Sequence, residues 1–404
     1  MSCLLPAPCY NKCKHTPANE VIKEDVPMQL TSHERIMRIF QNKEIDRPAL
    51  KLWGAGMDHD YDLLHPAYEP VRTLAAQKSD LFLNVDFPFE MCAGQNLNKY
   101  KETWIEEIGK PDWYNLHTVY HTPKGDLHMK ERVSRVFEPG FVLEYMIKEP
   151  EDIEKLLSME YLPYPVDASL YENKCRQLGD RGVVMVNVTE PGYIAHCLMG
   201  SETLAYFSVD YREEVQHLID VFTRRSLDHV GKVLDAGITA PFSWVGPELF
   251  TPPLMNYQDF HDFIYKADKP ICDLIHNGGG YVWVHCHGKV ANLVDNFIQM
   301  GVDVLNPLEP PKNGDIHMGK IIEKFDNRIG WEGNIEIQDI LLASCDELRS
   351  LIDECVSFGK ESGRFILCPS AGFNEYPFPT QRYIDNLLFY LNYGHEAVER
   401  CRKI

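Results

Sequence analysis

Val282-Trp283-Val284-His285-Cys286-His287-Gly288 (residues 282–288) holds a short β-branched and aromatic run that turns polar at its C-terminal end. The run 282–285 reads as a strand buried on both faces, and such strands belong to parallel sheets covered by crossover helices. Working outward, seven more runs of this kind stand at 49–53, 81–86, 183–188, 238–243, 302–306, 328–332 and 365–368. Each leads into a polar or Gly/Pro-containing segment and then a helical pattern, plainest at 257–276, 290–300 and 346–360. Eight alternating units predict an α/β chain closed into a (β/α)8 TIM barrel over residues 30–404. A capped helix at 30–42, stopped by Asp46-Arg47-Pro48, feeds the first strand.

The interval 96–180, between the second and third strands, is too long for one crossover. Its Thr122-Pro123-Lys124-Gly125-Asp126 turn lies between alternating stretches and predicts an inserted β-hairpin region that helps to roof the barrel mouth. Residues 1–29 show no periodic pattern and are expected to form a flexible leader. Cys3, Cys9, Cys13 and His15 in that leader match no standard metal-ligand spacing.

At 404 residues and 44% apolar composition the chain can bury one large barrel core. Its formal charge is −20, spread along the chain, and a surface so acidic repels phosphate backbones and anionic lipids. Nucleic acid and membrane are therefore not expected as partners. No run of about 18 apolar residues exists, and the first residues lack the order of a signal peptide, so a cytoplasmic location is expected. The twelve cysteines are scattered and read as reduced thiols.

Barrel enzymes take their catalytic groups from the C-terminal strand ends and the loops beyond. That rule selects Trp53, Asp86, Glu190, Trp244 with Glu248, His285 with His287, Asn306 with Glu309, Glu332 with Asn334, and Cys368. Residues two apart in extended chain point to one side, so His285 and His287 can share a cavity while Cys286 faces away. Two imidazoles so spaced suit zinc, with Cys368 offering a thiolate or Glu248 an oxygen as third ligand. The alternative is that the histidines are neutral hydrogen-bonding groups and Cys368 a small buried hydrophobe. Glu190, Asp86 and Glu248 are expected to orient substrate or move protons. Trp53, Trp244, Asn306, Glu332 and Asn334 are expected to contact substrate.

In order along the chain, these segments resemble the uroporphyrinogen decarboxylase superfamily. The resemblance runs from about residue 31 to residue 394. It rests on Glu34-Arg35 with Asp46-Arg47-Pro48, Thr122-Pro123-Lys124-Gly125, Glu190-Pro191 with Leu198-Met199-Gly200, Asp235-Ala236-Gly237, Pro252-Pro253-Leu254-Met255, His285-Cys286-His287-Gly288, Gly301-Val302-Asp303, Gly333-Asn334-Ile335 and Phe365-Ile366-Leu367-Cys368-Pro369. The superfamily also holds zinc-dependent methylcobalamin:thiol methyltransferases such as methylcobalamin:coenzyme M methyltransferase. True decarboxylases carry an arginine-rich segment after the first strand, whereas no arginine lies between Arg47 and Arg72 here. The methyltransferase branch binds zinc through a His-x-Cys-Gly segment and a later cysteine. Here the first becomes His285-x-His287-Gly288, and Ala371 takes the place of the second cysteine, three residues after Cys368.

The resemblance implies methyl transfer between a corrinoid (methylcobalamin), carried on a partner protein, and a small-molecule substrate, with zinc on His285, His287 and either Cys368 or Glu248. Two competing expectations stand beside it. One is a metal-independent decarboxylase using Asp86 and the histidine pair; the other is a ligand-binding barrel without catalysis.

Overall fold

A computed structural model of the chain describes residues 29–55, 65–136, 139–372, 375 and 378–402. The leader and its Cys3, Cys9, Cys13 and His15 lie outside the described residues. Eight parallel strands curl into a barrel-like sheet: β1 (Ala49–Leu50), β2 (Leu81–Val85), β7 (Gly182–Asn187), β8 (Pro241–Val245), β9 (Tyr281–His285), β10 (Val304–Asn306), β11 (Gly330–Ile335) and β12 (Phe365–Pro369). Their order in space is β1-β12-β11-β10-β9-β8-β7-β2. Sequential strands therefore neighbour one another, as right-handed crossover units require.

The join between β1 and β2 is made by one residue. Asp80 donates its backbone N–H to Leu50 O at 2.7 Å, and its carboxylate accepts the Leu50 N–H at 2.8 Å. The same carboxylate accepts from Ser32 Oγ, Arg35 and Arg47. Arg35 also makes a forked pair with Asp46, at 2.7 and 2.8 Å, to which Arg402 adds a contact at 2.6 Å. This network anchors the helix Ser32–Phe40 across the N-terminal end of the barrel. The helix starts where the sequence places it, because Thr31 and Glu34 form a reciprocal capping box. Its Ile36, Ile39 and Phe40 join Ala49, Phe82, Val183, Met185, Trp283, Val304, Ile366 and Cys368 in an inner cluster. A second, larger cluster lies between the strands and the surrounding helices, so the strands are buried on both faces.

Several boundaries differ from the sequence reading; the first strand ends at Leu50 and the seventh runs on to Ile335. The fourth barrel strand begins at Pro241 rather than 238, because the preceding helix runs to Asp235 and Gly237 turns the chain at φ +81°. The helix expected from residue 290 begins at Val294. The insertion is a four-stranded antiparallel sheet in the order β3 (Lys101–Glu107), β4 (Trp113–Thr122), β5 (Gly125–Ser134) and β6 (Phe141–Glu144). The turn at 122–125 closes β4 on β5, with Thr122 paired to Gly125. No helix among the described residues is long and apolar enough to cross a membrane, and the described cysteines are free thiols.

Candidate functional site

The inward residues at the C-terminal ends of β2, β7, β8 and β9 enclose a cavity of about 290 Å³ together with the segment after β1. Phe82, Asn84, Met185, Asn187, Ser243, Val245 and Trp283 come from those strands, and Lys51, Trp53, Glu190 and Tyr193 complete much of the wall. None of the described lining residues belongs to the inserted sheet.

Lys51 forms one corner of the cavity. Its ammonium lies 4.3 Å from the Trp53 ring centroid and 4.7 Å from those of Phe82 and Trp283. A salt bridge of 2.7 Å joins it to Glu332. With Lys51 only 4% exposed and Glu332 fully buried, neither charge would be tolerable alone. Trp283 Nε1–H donates to the other oxygen of Glu332 at 2.8 Å. Lys51 is thus already paired, and the described residues that line the cavity offer no free cation to a polycarboxylate. The sequence reading passed over it; its signal is a lysine set between Leu50 and Leu52, in phase with inward Trp53.

From Glu332 a polar chain climbs to the histidines. Asn306 Nδ2 donates to Glu332 Oε1 at 3.0 Å, which fixes the amide so that its Oδ1 accepts from His285 Nδ1–H. His287 Nδ1 pairs with Glu309 Oε1 at 2.8 Å, while the second oxygen of Glu309 takes the Gly288 N–H at 2.6 Å. The two imidazoles stand edge to face, 4.4 Å between centroids, and Cys286 is turned into the outer core. Burial, and next the charge of His287, push His285 down to about 3. For His287 burial acts the same way, but the hydrogen bond and charge of Glu309, with Glu248 and Glu336, outweigh it and raise its pKa. Both rings engage Nδ1 with a protein acceptor, which in the neutral form leaves the lone pair on Nε2, the arrangement that second-shell acceptors impose on metal-binding histidines. The pair does not line the cavity itself; His285 borders it through ring contacts with Trp53 and Trp283, at 5.6 and 6.0 Å.

The remaining sequence-selected residues separate. Trp53 and Glu190 line the cavity. Asp86 is exposed at the rim, accepting from lining Asn187 at 2.7 Å. Trp244 contributes to the wall, but its indole N–H is committed to Asp268 of the helix Lys266–Asn277 at 3.1 Å. Asn334 faces outward, bonding to Leu308 O and approached by the Cys355 thiol, so it is not a substrate contact of this cavity. Cys368 lies in the inner cluster with Trp283 and Phe82, where burial pushes its thiol well above the usual range. Glu248 folds back on its own loop, accepting the Gly246 N–H at 3.2 Å, and burial raises its pKa. Among the described residues no three His, Cys, Asp or Glu side chains form a group able to hold a metal. Neither Cys368 nor Glu248 therefore completes a ligand set with the imidazole pair.

A family model described as uroporphyrinogen decarboxylase (URO-D) matches residues 133–392. Among solved structures, a methyltransferase from Methanosarcina mazei superposes with a TM-score of 0.55 at 13% identity, covering 90% of this chain and 99% of that one. At that identity the likeness shows the barrel fold. A GH5-4 broad specificity endoglucanase from Clostridium acetobutylicum gives a TM-score of 0.39 at 11% identity over 91% of this chain and 100% of that one. A D-psicose 3-epimerase from Clostridium cellulolyticum H10 gives 0.34 at 9% identity over 59% and 84%. Both are too distant to carry an argument. No curated protein sequence matches the chain.

Proposed function

Because the chain belongs to the uroporphyrinogen decarboxylase family, matched over residues 133–392, we propose that it is a methyltransferase of that family. It moves a methyl group between a corrinoid carried by a partner protein and a small neutral molecule held in the cavity. The observation that carries this reading is the imidazole pair, His285 and His287, each with Nδ1 occupied by a protein acceptor and Nε2 left as a ligand.

Zinc is the metal such nitrogen donors suit, and its chemistry when bound would be to hold and polarise the heteroatom of the substrate. The pair supplies two ligands where a catalytic zinc site ordinarily has three from protein, so the affinity expected is modest. Trp53, Phe82, Trp283 and Tyr193 give the cavity apolar walls. Its volume of about 290 Å³ sits at the small end of ligand sites, roughly 300–1,000 Å³. The decarboxylase alternative, built on Asp86, suits an anionic substrate, and the lining cation Lys51 is already paired with Glu332.

Elemental analysis of full-length protein supplied with zinc, with a methyl-transfer assay using methylcobalamin, tests the proposal. His285→Ala and His287→Ala should each remove most of the metal and the activity while leaving the melting temperature nearly unchanged. Wild-type protein that retains no zinc and moves no methyl group would overturn it.

A further inference from the structure

One buried acid pair beside the cavity has no part in the reading above. Glu190, 2% exposed, lines the cavity and caps the helix Pro191–Asp210, accepting the Gly192 N–H at 2.7 Å and the Tyr193 N–H. Behind it lies Asp268, fully buried. Its Oδ2 takes the Trp244 indole N–H at 3.1 Å, while its Oδ1 is buried without a hydrogen bond from any described residue. Phe250 and Ile264 close the space beside Glu190 Oε2.

The titratable groups around the pair are Tyr193 and Cys197 on the helix of Glu190, Cys272 on the helix of Asp268, and Cys286 beyond β9. Among the described residues no lysine, arginine or histidine joins them, and burial raises the thiols so that they stay protonated. Two carboxylates so placed do not both ionise. Burial pushes Asp268 up to about 7, and burial with the charge of Asp268 carries Glu190 well above the carboxylate range. A proton on Glu190, donated to Asp268 Oδ1, satisfies the one oxygen that otherwise lacks a partner.

We propose that Glu190 is the proton donor of the site, that Asp268 positions the proton on it, and that the substrate is a neutral methyl ether whose leaving oxygen takes that proton. The inference rests on the methyltransfer reading. The acid fits an ether because an alkoxide or phenoxide is a basic leaving group, whereas a sulfonium or quaternary ammonium donor releases a neutral atom that needs no proton. In the step, the C–O bond breaks with its electron pair remaining on oxygen. The methyl carbon is taken by the reduced corrinoid, the co-substrate, whose cobalt(I) supplies both electrons of the new bond and becomes cobalt(III). The Glu190 proton converts the leaving oxygen to a hydroxyl, and the pair is reprotonated from water.

Infrared spectra of full-length protein at neutral pH should show a carboxylic acid C=O band that is lost from the Glu190→Gln/Asp268→Asn double variant. Methyl transfer to cob(I)alamin should then be followed with methyl phenyl ether and its nitro-substituted analogue. For Glu190→Gln, kcat with the unsubstituted ether should fall on the order of 100-fold, and far less with the nitro ether, whose phenoxide leaves without help. A wild type lacking the acid band, or an equal loss with both ethers, would overturn the inference. So would a zinc-loaded wild type that transfers from methylcobalamin but accepts no ether, an outcome that leaves the methyltransferase reading standing.

Discussion

Lys51 is held by three ring faces and one carboxylate, and removing it would strand Glu332 in the barrel interior. Lys51→Met should therefore cost about 3–5 kcal/mol in urea unfolding, and pairing it with Glu332→Gln should recover much of that loss. Asp268 gives a second test through pH. Its folded pKa, about 7, lies above the ordinary value of about 3.9. Its contribution to stability is thus fully present below about pH 4 and is lost as pH rises through neutrality. Asp268→Asn should flatten that decline, so melting temperatures of wild type and variant should diverge in the variant's favour between about pH 5 and pH 8. The sequence disclosed Trp53 and Glu190 through the rule of strand ends, but it could not disclose Asp268. In Lys266-Ala267-Asp268-Lys269 this residue looks like part of a solvated helix face, and only packing against β8 buries it. That Asn334 points away from the cavity was hidden for a related reason. A strand buried on both faces carries no hydrophobic alternation to say which phase points inward.

The first helix shows how much an element can owe to a single residue. Arg35 partners Asp46 and Asp80 at once. Burial would raise both carboxyls, but the arginine contacts outweigh it and hold both below the carboxylate range. Arg35→Met should cost about 3–5 kcal/mol near neutrality. The difference from wild type should shrink in acid, because groups with depressed folded pKa values lose their contribution as pH falls below about 4. Equal losses at neutral and acid pH, measured by chemical denaturation, would refute the electrostatic account. This helix was legible because its capping box is local. The fourth barrel strand was placed early because Ile238-Thr239-Ala240 has strand composition, while the turn at Gly237 is set by tertiary geometry.

For the whole molecule, eight apolar runs separated by helical patterns were enough to read the barrel, since closure demands that each strand be covered on both sides. The size of the inserted sheet was less visible because its outer strand β3 is exposed along its length and so lacks the buried alternation that marks a strand. Closure is uneven. β11 and β12 pair through five residues, from Trp331 with Phe365 to Ile335 with Pro369, whereas β1 meets β2 through Asp80. Hydrogen exchange should find the Leu50 and Asp80 amides opening at lower free energy than that of Val284 in β9. Equal protection at all three would show that the ring has no weak join.

That join also sets a timetable for synthesis. β1 leaves the ribosome first among the barrel strands, yet Ala49 and Leu50 find their ladder partners only in Ile366 and Leu367. The carboxylate of Asp46, next to them, is met by Arg402. A nascent chain can stack its middle strands as they emerge, but it must hold its opening strand in waiting until residues 366–402 have been made. A chain interrupted before residue 366 would present a sheet with two raw edges, the kind of surface that recruits other unfinished chains.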